Sequence, residues 1–363
     1  MSRRDIYYWK CDRPAAFHGT HVRGNADAEM EELLREALRD KLNARYIELS
    51  AGVGQGNHVT WNADVDGTAM FIRVENGPEK DGQLAIESDV LDSVRGAGVP
   101  TPIVFACDAT RRRVPFAWQA LERIAAPDLN HWFKAGGLNT ERIAFDIGVA
   151  VAKWQPFDVV GYGPLGTPTG RSGTAFVGVH QCYSSYFFTR LEEHLTFLTR
   201  HAFISSAQSE DIRRTIDDHQ ALLELAEGCL VHKDLALWNI LGSRDRIAAF
   251  IDFDDSISGD ALDDLSLLAC FHDVAFLQRA FEGYESMRPL PLEHRRRFWL
   301  HLLRNMIVKA VIRVGAGYFE RDSGFFLIGS GGSGADLKRF TEERLHLAAR
   351  ALREGSSLEV LRP

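Results

Sequence analysis

The chain has 363 residues, 45% of them hydrophobic and 25% charged, which excludes a disordered protein and leaves room for two domains or one large bilobal enzyme. A formal net charge of −8 argues against a binder of nucleic-acid phosphates, so no nucleic-acid partner is expected. Five scattered cysteines without zinc spacing, a start without the apolar core of a signal peptide, and no apolar run near ~18 residues predict reduced thiols, a cytoplasmic setting and no membrane partner.

Residues 1–44 read as an N-terminal extension. After an irregular start bearing Tyr7, Tyr8, Trp9 and Phe17, the residues Met30, Leu33, Leu34, Ala37 and Leu38 share one face of a helix over 27–42. Such a leader packs on the domain that follows, with self-association as the alternative. From Arg45 the period drops to two, and 46–51, 58–65 and 69–74 read as successive strands. Glycines in the first turn, Gly52-Val53-Gly54-Gln55-Gly56-Asn57, let backbone N–H groups approach a phosphate, although a plain hairpin turn would read the same. The third strand carries Arg73 between Ile72 and Val74, either an exposed edge charge or a cation that pairs with phosphates. Glu87 follows on a helix over 81–97 with Leu84, Leu91 and Val94 turned inward; a strand cation and a helix acid are the pair by which kinases position phosphates. Gly98-Val99-Pro100-Thr101-Pro102 ends that helix. Strands at 103–107 and 116–121 flank Arg111, Arg112 and Arg113, a solvated hairpin tip. Strand pattern gives way to helix after Glu122-Arg123-Ile124, which bounds a sheet-rich lobe at 45–124.

Residues 125–363 read as mainly helical. Apolar faces recur at Ile143, Ile147, Ala150, Val151 and Trp154, at Leu191, Leu195 and Leu198, and at Ile212, Ile216 and Leu223. Longer helices are expected over 260–284, 292–315 and 335–354. Gly161-Tyr162-Gly163-Pro164 and a glycine-rich loop to Gly178 make a candidate rim of a substrate cleft, and 329–334 a flexible connection. The densest chemistry lies at 230–265. Two apolar runs there, Leu230-Val231 and 247–251, read as the strands of one acid-tipped hairpin. The first leads into His232, Asp234 and Asn239; the second ends in Asp252, Asp254 and Asp255. Oxygen ligands so placed suit Mg²⁺. The spacing His-x-Asp-x-x-x-x-Asn matches a kinase catalytic loop, in which the Asp accepts a hydroxyl proton and the Asn holds metal.

In this order, Phe71-Ile72-Arg73-Val74, Glu87 before Gly98-Val99-Pro100, His232-Lys233-Asp234 through Asn239-Ile240-Leu241, and Ile251-Asp252-Phe253-Asp254-Asp255 with Gly259-Asp260 and Asp264-Leu265 resemble the aminoglycoside phosphotransferase and choline kinase family. The hygromycin-type members look nearest. The resemblance implies an α+β, bilobal protein-kinase-like fold with an antiparallel-sheet N-lobe and a mainly helical C-lobe, over 45–124 and 125–363. It also implies Mg²⁺ and a nucleoside triphosphate, ATP or GTP, as phosphate donor. By it Asp234 takes the acceptor's proton, Asn239 and Asp252 ligate Mg²⁺, and Arg73, fixed by Glu87, holds phosphates. Gly52, Gly54 and Asn57 would line the phosphate loop, and the backbone from Glu122 to Ile124 would meet the adenine edge. Asp254 stands either behind the metal ligands or against the substrate. Asp260 and Asp264 would brace the catalytic loop, and His232 would support it rather than carry protons.

Three departures bear on the acceptor. Arg73 stands where Lys is common, Lys233 replaces a small residue, and Ala236-Leu237-Trp238 replaces His-Pro-Gly. The expected acceptor is the hydroxyl of a small molecule, first an aminoglycoside-like antibiotic, because the acidic stretch 252–264 and the net charge suit a cation. A metabolite such as choline, an amino alcohol or a sugar is the alternative, as is a non-catalytic nucleotide-binding module. The stretch between Asp255 and Gly259 is too short for the loop that seats a polypeptide in a protein kinase.

Overall fold

A computed structural model describes residues 28–52, 58–75, 82–166, 176–322, 324–328 and 331–362. The residues before the first helix, Gly54 and Asn57 of the glycine turn, and most of the glycine-rich loop before Phe176 lie outside them. Helix α1 (Ala28–Leu42) turns Met30, Leu34, Ala37 and Leu38 inward. Strands β1 (Ile47–Ala51), β2 (Val59–Val65) and β3 (Thr68–Glu75) follow as antiparallel neighbours. Helix α2 (Gln83–Gly96) then leads to β4 (Val104–Asp108) and β5 (Ala117–Glu122), completing a five-stranded sheet of order β1-β2-β3-β5-β4.

Side-chain alternation sorts this sheet. Val59, Trp61, Ala63 and Val65 of β2 and Met70, Ile72 and Val74 of β3 face α1 and share one core with it. The same alternation turns Arg73 to the opposite face, toward α2. Helix α2 sends Val90, Leu91 and Val94 into the other core, that of the helical lobe, and so ties the lobes together.

The helical lobe begins with α3 (Leu129–Lys134) and α4 (Thr140–Trp154), then β6 (Val159–Val160), β7 (Tyr162–Gly166) and β8 (Phe176–His180). Helices α5 (Tyr183–Phe187), α6 (Leu191–Arg200) and α7 (Ser206–Asp217) precede the short strands β9 (Cys229–Val231), β10 (Ile240–Gly242), β11 (Ile247–Phe250) and β12 (Ile257–Gly259). Helices α8 (Asp263–Leu268), α9 (Val274–Glu285), α10 (His294–Gly315) and α11 (Gly334–Glu354) close the chain. Capping boxes at Ser205 and Ser333 start α7 and α11. Among the described residues Cys107, Cys182, Cys229 and Cys270 are unbonded, and no helix is long and apolar enough to cross a membrane.

The structure departs from the sequence reading in three places. Leu230-Val231 and the run from Ile247 do not pair as one hairpin: β9 pairs with β12, while β11 pairs with β10. Both runs are short and apolar, so each would suit either partner. The helix expected over 260–284 is two, α8 and α9, because the Asp273 side chain caps a new start by accepting from the Phe276 N–H. The expected glycine-rich rim contains strands, β7 and β8, which join β6, β12 and β9 in a second sheet. Gly161 and Gly163 hold φ of 75° and 77°, which hides that sheet from a reading based on alternation.

Helices α4 and α9 cross in close contact. A Cβ on Gly148 would collide with the Ala280 carbonyl, and one on Gly283 with that of Phe145. Gly148→Ala should therefore destabilise the protein by about 1–3 kcal/mol, seen as a lower urea midpoint with an unchanged slope. A wild-type midpoint would contradict this crossing.

Candidate active site

Between the lobes, one guanidinium gathers several acids. Arg73 Nη1 donates to Glu87 Oε1 at 2.5 Å, and Nη2 donates to Asp252 Oδ1 at 2.9 Å and to His58 Nδ1 at 3.0 Å. Asp254 Oδ2 lies 4.0 Å away. Burial works against the Arg73 charge, but Glu87, Asp252 and Asp254 outweigh it and hold the guanidinium above its ordinary value. Burial pushes the Glu87 carboxyl up to about 7, with Arg73 opposing and Asp254 and Asp252 adding to the rise. Glu87 Oε2 is buried without a hydrogen bond among the described residues. Asp252 sits at φ 67°, ψ 51°, a left-handed turn that presents its carboxylate to the cleft as β11 ends.

The catalytic-loop segment is held from behind. Asp264, in the first turn of α8, accepts from the His232 N–H at 2.9 Å and the Lys233 N–H at 3.0 Å. Lys233, at φ 70°, buries its ammonium against both Asp263 oxygens at 2.7 and 2.6 Å and against Asn305 Oδ1 at 3.1 Å. Burial opposes the Asp263 charge, but Lys233, His301 and Asn305 outweigh it and hold that carboxyl below its usual range. His232 donates from Nε2 to Ile251 O at 3.0 Å and accepts from the Asp234 N–H at 3.3 Å, so both ring nitrogens serve the loop. Asn239 Nδ2 donates to Asp234 O at 2.8 Å and Oδ2 at 3.0 Å. Lys309 Nζ donates to Asp234 Oδ1 at 3.1 Å.

The structure thus brings together Arg73, Glu87 and Asp252 on one side of the cleft and Asp234 and Asn239 on the other, joined where the Ile251 N–H donates to Asn239 O at 3.0 Å. Asp254 stands behind Asp252, and the Gln83 amide donates to its carbonyl at 2.8 Å. Asp264 braces the loop, but Asp260 does not: it reaches α10 instead, 3.0 Å from Arg297 Nη1 and 3.2 Å from His301 Nε2. Gly52 donates its N–H to Thr60 O at 2.8 Å where β1 ends. The Glu122 N–H donates to Ile103 O at 2.8 Å, and its side chain accepts from the Ile103 N–H at 3.2 Å and from Arg95 at 3.3 Å. The Ile124 N–H makes no hydrogen bond among the described residues.

Sequence reasoning missed Asp263, Asn305 and Lys309. A signal for two of them was present. On α10, Arg297, His301, Asn305 and Lys309 recur every fourth residue, and this stripe reaches Asp260, Asp263 and Asp234. With its amide nitrogen tied to Asp234, the Asn239 oxygen is left for a cation beside Asp252. Among the described residues no three His, Cys, Asp or Glu side chains form a metal cage. One carboxylate and one amide oxygen are a donor set that suits Mg²⁺, which keeps part of its water.

The model of a family described as the phosphotransferase enzyme family matches residues 49–299. No curated protein matches the chain. Among solved structures, aminoglycoside phosphotransferase APH(4)-Ia is 16% identical, with 88% of this chain and 99% of that chain covered at a TM-score of 0.59. A thermostable mutant of that enzyme, in ternary complex with AMP-PNP and hygromycin B, is 15% identical over 90% and 99% at a TM-score of 0.58. A candidate fructosamine-3-kinase from Thermobifida fusca YX-ER1 is 19% identical over 86% and 98% at a TM-score of 0.57. These likenesses carry the bilobal, kinase-like fold.

The Glu87 shift has a testable sign. A carboxyl that titrates near 7 when folded and near ~4.3 when unfolded keeps its proton longer in the native state, so its contribution to stability falls as pH rises between those values. In EDTA, wild type should therefore lose stability relative to Glu87→Gln between pH 5 and pH 8 in urea titrations. A difference that stays flat across that range would mean that Arg73 keeps Glu87 ionised throughout.

Proposed function

The chain belongs to the phosphotransferase enzyme family, and on that premise we propose that it moves the γ-phosphate of ATP, or GTP, to a hydroxyl of a small molecule. The observation that carries this reading is the meeting of Arg73, Glu87, Asp234, Asn239 and Asp252 in one cleft, closed by the Arg73–Asp252 bond across 179 positions of chain. In the reaction the acceptor oxygen bonds to Pγ while the bond from Pγ to the bridging oxygen breaks, and the nucleoside diphosphate leaves. The hydroxyl proton passes to Asp234, whose carboxylate Asn239 and Lys309 hold in place. Asn239 and Asp252 would hold Mg²⁺, which when bound neutralises charge on the phosphates. Arg73 keeps Glu87 and turns its second amino group from Asp252 to phosphate oxygens, a charge-assisted contact that a guanidinium fork suits. A cytoplasmic setting, where the triphosphate is available, belongs to this reading.

Two acceptor classes have support from the neighbours. The complex with hygromycin B supports an aminoglycoside-like molecule, and the candidate fructosamine-3-kinase supports a sugar-derived metabolite. The acidic stretch 252–264 does not favour the first, because Asp260, Asp263 and Asp264 are engaged inside the protein.

Asp234→Asn should lower turnover by about 10²–10⁴ while ATP binding stays near wild type; unchanged turnover would remove Asp234 from the role of base. Asp252→Ala should abolish the Mg²⁺ dependence of ATP binding in calorimetry, and an unaltered affinity for Mg·ATP would count against the metal assignment.

A further inference from the structure

Helix α10 carries two cations one turn apart, the first of them beside the proposed base. Lys309 Nζ lies 3.1 Å from Asp234 Oδ1 and 5.5 Å from the Phe271 ring centroid. The Arg313 guanidinium lies 5.8 Å from the same ring. Arg313 is only 1% exposed, yet no carboxylate pairs with it among the described residues. Its Nη1 donates to Thr341 Oγ1 at 2.8 Å and its Nη2 to Cys270 O at 3.4 Å, while Nε is buried with no partner. Burial lowers its ordinary value to about 10, which still leaves it cationic at neutral pH. A buried charge without a counter-ion is costly by several kcal/mol, so a site that keeps one is suited to an anion that arrives from outside.

Arg313 also lines a cavity of about 280 Å³ with Trp238, Phe271, Phe326, Ile328 and Phe340. Trp238 belongs to the catalytic loop and meets Phe271 and Phe326 edge-on, at 4.8 and 5.2 Å between ring centroids. Asp336 shares this lining, but its oxygens already accept from Ser333 and Arg339. The space falls at the small end of ligand pockets, enough for one ring and a short polar arm. Ammonium groups of a multi-ring cation would face Lys309 and Arg313 at like charge.

We propose that the acceptor is a small hydroxylated anion with an aromatic or apolar body, seated over Trp238 and Phe271 with its carboxylate, sulfate or phosphate group toward Arg313. This deepens the phosphotransfer reading and rests on it. Lys309 acts as a positioning residue between Asp234 and that anion.

Calorimetry on the full chain with Mg²⁺ and AMP-PNP tests this with two probes of one skeleton, 3-phenylpropionate and 3-phenylpropylamine. The anion should bind at least ten-fold more tightly than the amine. Arg313→Met should abolish that preference and Arg313→Lys should retain it; Lys309→Met, at a less buried position, provides the same readout if Arg313→Met fails to fold. Equal or tighter binding of the amine, binding of neither probe, or an unchanged preference in a folded Met variant overturns the proposal alone, because nucleotide binding is then intact. Loss of Mg·AMP-PNP binding in wild type overturns the phosphotransfer reading and this proposal with it.

Discussion

The cleft depends on one buried guanidinium shared by acids from both lobes. Glu87 comes from α2, and Asp252 and Asp254 come from the turn that ends β11. Burial of Glu87 and the nearness of Asp254 and Asp252 push its carboxyl up against the pull of Arg73. Such an arrangement is poor as a stabilising device, since desolvation offsets most of the attraction. In the proposed function it is the arrangement that receives a divalent cation and polyphosphate. Arginine matters here as arginine, because a planar fork can hold Glu87 with one amino group and release Asp252 with the other.

Behind the cleft, order is imposed on the catalytic loop by the start of α8 and one face of α10. Asp263 and Asp264 lie in the first turn of α8, where the helix dipole favours carboxylates, and they face the loop rather than solvent. They fix two consecutive N–H groups and the Lys233 ammonium, which helps hold Lys233 in its left-handed conformation. Helix α10 adds Asn305 to that network and Lys309 to Asp234 itself. The acidity of the 252–264 stretch is therefore largely architectural. It shapes the loop from inside, while aromatic rings and two cations of α10 gather around Phe271.

Much of this was legible in the chain, for definite reasons. Period-two alternation in β2 and β3 identified the sheet, and the strand position of Arg73 fixed its face relative to Ile72 and Val74. The order and spacing of Arg73, Glu87, Asp234, Asn239 and Asp252 were enough to expect a kinase-like cleft, because those spacings hold chemistry that cannot be rearranged locally. The β9–β12 and β10–β11 pairings were not legible, since three- and four-residue apolar strands carry no register of their own.

By itself, then, the sequence determined the fold class, the order of the motifs and the residue types that gather in the cleft. Only the tertiary structure decided which charges remain available. Asp260, Asp263 and Asp264 look alike in one dimension to acids that would greet a cationic acceptor, and they are consumed by partners from 30 to 42 positions away. Lys309, anonymous in a long helix, ends on Asp234, and Arg313 one turn on ends beside Phe271. Charge is read locally in a sequence, but its balance is struck across the packed interior, where neighbours in space are strangers along the chain.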